Sequence, residues 1–112
     1  MAMTEDDTRL LDRLRRLVKD RSGFSEKKMF GGICLMLNGN MCVGTWQGSL
    51  VVRLDKADHE QTQADAHTAP MDITGRVMKG WALVRPAGVA TDYDLKHWLD
   101  RAAAFVATLP AK

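Results

Sequence analysis

Cysteine, proline and tyrosine are scarce in this chain, at two, three and one in 112 residues. Two cysteines cannot build the framework of bridges that small secreted domains depend on. Three prolines and nine glycines exclude a collagen-like or polyproline chain. Charge of one sign is lacking too. Sixteen Lys and Arg against fourteen Asp and Glu leave +2, too balanced for a dedicated nucleic-acid binder. Missing as well are Cys-x-x-Cys, His-x-x-x-His, Gly-x-Ser-x-Gly, Gly-x-Gly-x-x-Gly and any Gly-Lys-Ser or Gly-Lys-Thr. Those absences remove the usual signatures of metal sites, nucleophile elbows and phosphate loops. We therefore expect no metal, no cofactor and no enzymatic activity.

What is present is a globular composition, with 46% hydrophobic and 27% charged residues, which excludes a disordered tail. A chain of this length makes one domain, here residues 1–112. The excess charge lies in residues 1–32, where eight basic side chains are interrupted by six acidic ones, a pattern of a solvated helix face. The opening residues Met1–Asp7 are acidic and carry neither a basic nor a long apolar stretch, so a cytoplasmic protein without a secretory leader is expected. The 23 residues from Phe30 to Val52 contain no charge, yet only 13 are apolar and five are glycine. They read as short strands between turns and not as a membrane span.

Residues 4–20 read as a helix. Thr4 and Asp7 form a capping-box pair, and Leu10, Leu11, Leu14, Leu17 and Val18 fall on one stripe. The period then shortens. Strands are predicted over Glu26–Phe30, Ile33–Leu37, Asn40–Trp46 and Ser49–Leu54, with Asn38-Gly39 and Gln47-Gly48 as tight turns. Asp55 caps a short helix reaching about Ala66, which Pro70 cannot continue. Met71–Gly80 reads as one short strand or an extended loop, and Trp81–Arg85 as a clearer strand. Thr91 with Asp94 caps a last helix with Leu95, Trp98, Leu99, Ala102, Phe105, Val106 and Leu109 on its apolar stripe, ended by Pro110. The fold class is α+β, an antiparallel meander flanked by an N-terminal and a C-terminal helix, with a short helix between strands.

If Asn38-Gly39 is a two-residue turn, Leu35 faces Cys42 and Cys34 faces Val43. The two cysteines then point to opposite sides of the sheet and serve as small buried residues. His59, His67 and His97 have no second ligand at helical spacing. Carboxylate pairs such as Asp6/Asp7 and Asp92/Asp94 sit at helix starts, where capping accounts for them.

One set of residues combines charge with an aromatic face beside glycine: Lys27, Lys28, Arg53, Arg76, Lys79 and Trp81. Gly80 would let a ligand or another backbone approach. The plainer reading is a solvated rim with Trp81 in the core. The sheet is more informative. In Ile33–Leu37 both alternate sets are apolar, and Asn40–Trp46 is similar, whereas a sheet with one wet face should alternate. The short, polar middle helix offers little to cover a second apolar face. A homodimer through that sheet face is the expectation.

The same residues carry a family likeness. Lys28-Met29-Phe30-Gly31-Gly32, Asn38-Gly39-Asn40-Met41, Thr74-Gly75-Arg76 with Met78-Lys79-Gly80-Trp81, and Asp94-Leu95 with Trp98 together resemble the TfoX/Sxy amino-terminal domain over about residues 5–110. The resemblance implies a helix–meander–helix α+β domain of a bacterial regulatory protein acting with the transcription machinery, as competence regulators do. Those regulators carry a further carboxy-terminal domain that has no counterpart among these residues. Many relatives also have Arg where this chain has Ala69 and Pro where it has Val77. The functional expectation is a non-enzymatic regulatory or adaptor domain working through protein contacts. Its alternative is direct binding of nucleic acid or a small anion through Lys27, Lys28, Arg53, Arg76 and Lys79.

Overall fold

A computed structural model of the chain describes residues 3–29, 31–72 and 75–112. The element order is α1 (Glu5–Val18), β1 (Phe24–Met29), β2 (Gly32–Leu37), β3 (Asn40–Trp46), β4 (Ser49–Arg53), a 3-10 turn (Lys56–Asp58) leading into α2 (His59–Gln63), β5 (Thr68–Pro70), β6 (Trp81–Val84), a second 3-10 turn (Pro86–Val89) and α3 (Asp92–Val106). The fold is α+β, as the sequence indicates. No helix among the described residues is long and apolar enough to cross a membrane.

The strands form one antiparallel sheet in the order β1-β2-β3-β4-β6-β5. The first four follow a meander. The chain then leaves β4, passes through α2, lays β5 at the far edge and returns as β6 between them. β5 ends on Pro70, at an edge position where a strand tolerates a residue without an N–H. It lies upstream of the stretch read as one short strand or an extended loop, and the described residues between Met71 and Gly80 form no strand. Ile73 and Thr74 lie outside the described residues, as does Phe30, the predicted end of the first strand. That strand instead begins two residues earlier, because Phe24 pairs with Leu37 and packs with the helices.

The start of α1 is built as its sequence dictates. Thr4 Oγ1 accepts from the Asp7 N–H at 3.0 Å, and Asp7 Oδ2 accepts from the Thr4 N–H at 3.1 Å. The same buried carboxylate accepts from the Gly48 N–H at 2.8 Å, so the cap also fastens the β3–β4 turn. At the other end Arg15 forks onto Glu26 of β1 at 2.7 and 2.8 Å. α3 starts as expected, with Thr91 Oγ1 accepting from the Asp94 N–H at 3.1 Å.

The middle helix is shorter than its sequence suggested. Asp55 caps the 3-10 turn, accepting from the Ala57 N–H at 2.9 Å, and α2 proper spans only His59–Gln63. The segment buries only Thr62 and has no apolar stripe to repay the cost of helix nucleation.

The β2–β3 hairpin turns on Asn38 (φ 52°) and Gly39 (φ 83°), the paired left-handed residues of a type I′ turn. Its register differs from simple counting. Leu37 faces Asn40 and Met36 faces Met41, but Leu35 faces Val43 and Cys34 faces Gly44. Cys42 is the extra residue of a β-bulge, and both Cys42 and Val43 join the cluster under the helices. The cysteines do stand on opposite faces, with Cys34 in the other cluster. The bulge leaves Cys42 on the face that counting from the turn gives it and brings Val43 onto the same face.

The two sheet faces carry separate cores. On one, Leu35, Leu37, Val43, Leu50, Val52 and Val84 pack against Leu10, Leu11 and Leu14 of α1 and Leu95, Trp98, Leu99 and Val106 of α3. On the other, Cys34, Met41, Val51, Met71 and Leu83 are buried beneath Met29, Met36, Trp46, Ala69, Met78 and Trp81, which are themselves half-buried. Both faces are apolar, as the doubled pattern of β2 and β3 indicates.

Candidate partner-binding face

The second face is laid out by strand register. One row crosses all six strands: Lys27, Cys34, Gly44, Val51, Leu83 and Ala69 each stand opposite the next. These residues are short except for Lys27 at the edge. On one side of the row stand Met36 and Met41, which face each other, and Trp81, which faces Arg53. On the other stand Met29 and Trp46. Five of the seven methionines belong to this face. The connection between β5 and β6 supplies two of them, Met71 and Met78, and is closed by a hydrogen bond from the Met78 N–H to the Met71 carbonyl at 3.1 Å.

Arg53 and Trp81 come together as a stacked pair, with the guanidinium carbon 5.2 Å from the ring centroid. Trp81 is half-buried, between the core and rim positions that its sequence allowed. Lys79 and Arg76 are exposed in the connection beside it. Lys27 and Lys28 are separated by the strand's alternation: Lys27 faces Cys34 on the methionine side, and Lys28 faces Ile33 on the helix side. Lys27 also lies three strands from Arg53, about 14 Å at normal sheet spacing. The five cations therefore do not form one surface.

Gly80 serves the chain's own backbone. Its φ is 88°, and a Cβ there would lie 2.6 Å from the Leu54 carbonyl oxygen. Its N–H donates to His59 Nδ1 at 3.2 Å, and its carbonyl accepts from the Leu54 N–H at 2.7 Å. The close approach foreseen at this glycine is thus made by the segment following β4.

Ion pairs gather along the helices, although Arg16 of α1 and Lys28 on the helix side have none among the described residues. Arg9, Arg13, Arg15 and Arg21 are bound to Asp6, Asp92, Glu26 and Asp100. Among the described residues, Lys27, Lys28, Arg53, Arg76 and Lys79 have no carboxylate within ion-pair distance. Burial pushes the Cys34 thiol up to about 11 and the Cys42 thiol up to about 12, so neither supplies a thiolate near neutral pH.

A polar recess of about 450 Å³ lies between α2 and α3, lined by Asp58, Gln61, Thr62, Asp65, His97 and Arg101. Arg101 stacks on Trp98 with its guanidinium carbon 5.0 Å from the ring centroid, and donates to Thr62 Oγ1 at 3.3 Å. Its polar groups thus brace the two helices, and no described cluster of three His, Cys, Asp or Glu side chains suits a metal ion.

Sequence reasoning found the basic and aromatic positions but missed the methionines that dominate the face. Part of their signal was available: the Asn38-Gly39 turn alone sets Met36 opposite Met41 on one face, and only Trp46 needs the bulge to join them. No curated protein and no solved structure matches the chain. The sequence model of the TfoX N-terminal domain matches residues 16–106, from the last turn of α1 to the last residue of α3 and across the whole sheet. By that match the chain belongs to the TfoX N-terminal domain family.

Proposed function

We propose that this chain is a cytoplasmic, non-enzymatic adaptor domain that acts by protein contacts in bacterial transcriptional regulation, with the methionine–tryptophan sheet face as its contact surface. One observation carries the reading. Met29, Met36, Trp46, Met78 and Trp81 stand half-exposed together on a face that neither α1 nor α3 covers. Methionine is unbranched and polarisable, so a surface built from it moulds to differently shaped partners. Tryptophan is enriched where interfaces concentrate their energy. Membership of the TfoX N-terminal domain family supports the regulatory setting.

Direct binding of nucleic acid is the weaker reading. A phosphate-tracking surface needs neighbouring, unpaired cations. Here Lys27 and Lys28 diverge, and the α1 arginines named above are held by carboxylates. A homodimer through this face is also less favoured, because a second copy would bring the same cations, Lys27 and Arg53, to the interface.

The test is a photo-crosslinking amino acid placed at Met36 or, as a control, at exposed Lys96 of α3, in cells producing the protein. Protein adducts formed from position 36 and not from 96 are expected. Equal adducts from both positions, or none, overturn the reading. So does sedimentation of the purified protein with duplex DNA at low salt if the complex dissolves at high salt.

A further inference from the structure

We infer that the methionine–tryptophan face receives an acidic partner, a protein segment presenting large apolar side chains flanked by Asp and Glu. The inference rests on the adaptor reading and specifies the partner's chemistry.

Charge is sparse on the strands. β1 carries Glu26, Lys27 and Lys28, β4 carries Arg53, and no other strand residue is charged. Register sends Lys27 and Arg53 to the methionine face. It sends Glu26, the only strand carboxylate, to the helix face, where Arg15 holds it. The connection over the same face adds Arg76 and Lys79 against Asp72 alone. Lys27, Arg53, Arg76 and Lys79 thus stand around an apolar centre, with Asp72 the one carboxylate of the Met71–Gly80 connection, and none of the four cations is paired among the described residues. Stacking on Trp81 holds the Arg53 guanidinium at the border, so little freedom is lost when a carboxylate meets it.

That charge pattern also chooses between occupants. A second copy placed by a two-fold axis would set the same cationic border against itself, which costs affinity. A basic segment meets the same repulsion, and an acidic one is complementary. The row from Lys27 to Ala69 crosses six strands, about 24 Å at normal spacing, the length of roughly 16 helical residues. The methionines flanking it each have three rotatable side-chain bonds, so they can part to admit apolar side chains toward Cys34, Val51 and Leu83.

The test uses two synthetic 16-residue amphipathic peptides with the same Leu/Phe stripe, one flanked by Glu and one by Lys. Each is titrated into the full chain labelled at the methionine methyl carbons. The acidic peptide should shift the methyl signals of Met29, Met36, Met78 and Met41 and leave Met3, which packs with the helices, unchanged. Its Kd should rise about tenfold in the double variant Lys27→Glu, Lys79→Glu, whose two sites are exposed and leave the core intact. The same variant should gain affinity for the basic peptide. Equal or tighter binding of the basic peptide to the unmodified chain overturns the acidic partner and leaves the adaptor reading standing. Shifts confined to Met3 overturn the face, and binding of neither peptide overturns the inference. A concentration-dependent dimer that shifts these methyls without any peptide assigns the face to a second copy and overturns it too. The adaptor reading itself falls only on the crosslinking and sedimentation results above.

Discussion

The two faces of one sheet carry different kinds of apolar side chain. Under α1 and α3 the strands present Leu35, Leu37, Val43, Leu50, Val52 and Val84. These are branched side chains with few rotamers, and helices bury them completely. On the reverse, Met29 and Met36 share the surface with Trp46 and Trp81 above a buried Met41, and among the described residues the cover is Met71 and Met78 of the connection between β5 and β6. Branched residues closed in by helices fix one packing. Unbranched thioethers at a half-open face allow several. The contrast sets a closed, fixed packing on one side against a half-open one on the other, and the proposed function rests on the second.

The largest effect should come from the closed side. Leu99 is fully buried at the centre of α3, and Leu99→Ala should cost about 3 kcal/mol in urea unfolding. A loss below about 1 kcal/mol would mean that the helix layer is no better packed than the reverse face, and the contrast would break.

The next effect lies where the two regions are joined. Gly80→Ala adds a Cβ that meets the Leu54 carbonyl oxygen and holds an alanine at φ 88°. A loss of about 2 kcal/mol is expected from that backbone strain. The connection carrying Met71 and Met78 should loosen with it, read as faster amide exchange at Met78, whose N–H is bonded to the Met71 carbonyl. Normal exchange there in a destabilised variant would show that the connection is fixed by its methionines alone.

How much of this was legible in the sequence follows from how local each cause is. The Thr4–Asp7 cap, the Asn38-Gly39 turn and the apolar stripes of α1 and α3 rest on neighbours within a few residues, and all three are found. The second apolar face was legible from the doubled pattern of Ile33–Leu37. The bulge at Cys42 was not, because it is fixed by pairing across the hairpin and not by the turn that opens it. β5 was hidden for a similar reason. Thr68–Pro70 has no strand pattern of its own and is held by β6, which follows it by ten residues. The candidate residues were legible as types and not as a surface. Lys27 and Lys28 are neighbours in sequence and face opposite ways in the sheet.

A smaller effect sharpens the contrast from the open side. Met36→Leu keeps volume and apolarity, so it should change stability by less than about 1 kcal/mol. It should nevertheless weaken partner binding, because a γ-branched side chain loses the thioether's freedom to follow a partner's shape. Unchanged partner affinity would mean that any apolar residue serves on this face and that the methionines have no special part.

The smallest effect is set by acid, and it too separates the faces. Hydrogen bonding from Arg15 holds the Glu26 carboxyl below its ordinary value. Burial opposes the same shift at Asp100, but hydrogen bonds from Lys96 and Arg21 outweigh it. Both carboxyls therefore bind protons less readily in the folded chain than in the unfolded one. Their contribution is complete above the unfolded values, near pH 4, and is lost as pH falls through the lower folded values. Each pair is partly exposed, so each is worth less than about 1 kcal/mol. Both pairs lie on the helix side: Arg15 joins α1 to β1, and Arg21, just after α1, reaches Asp100 of α3. The strands place no carboxylate on the methionine face. Lowering the pH toward 3 should therefore speed amide exchange in α1 and α3 while the methyl signals of Met36 and Met41 hold their positions, and Glu26→Gln should remove part of that acid response. Movement of those methyl signals before the helix amides respond would reverse the assignment and make the open face the first to yield.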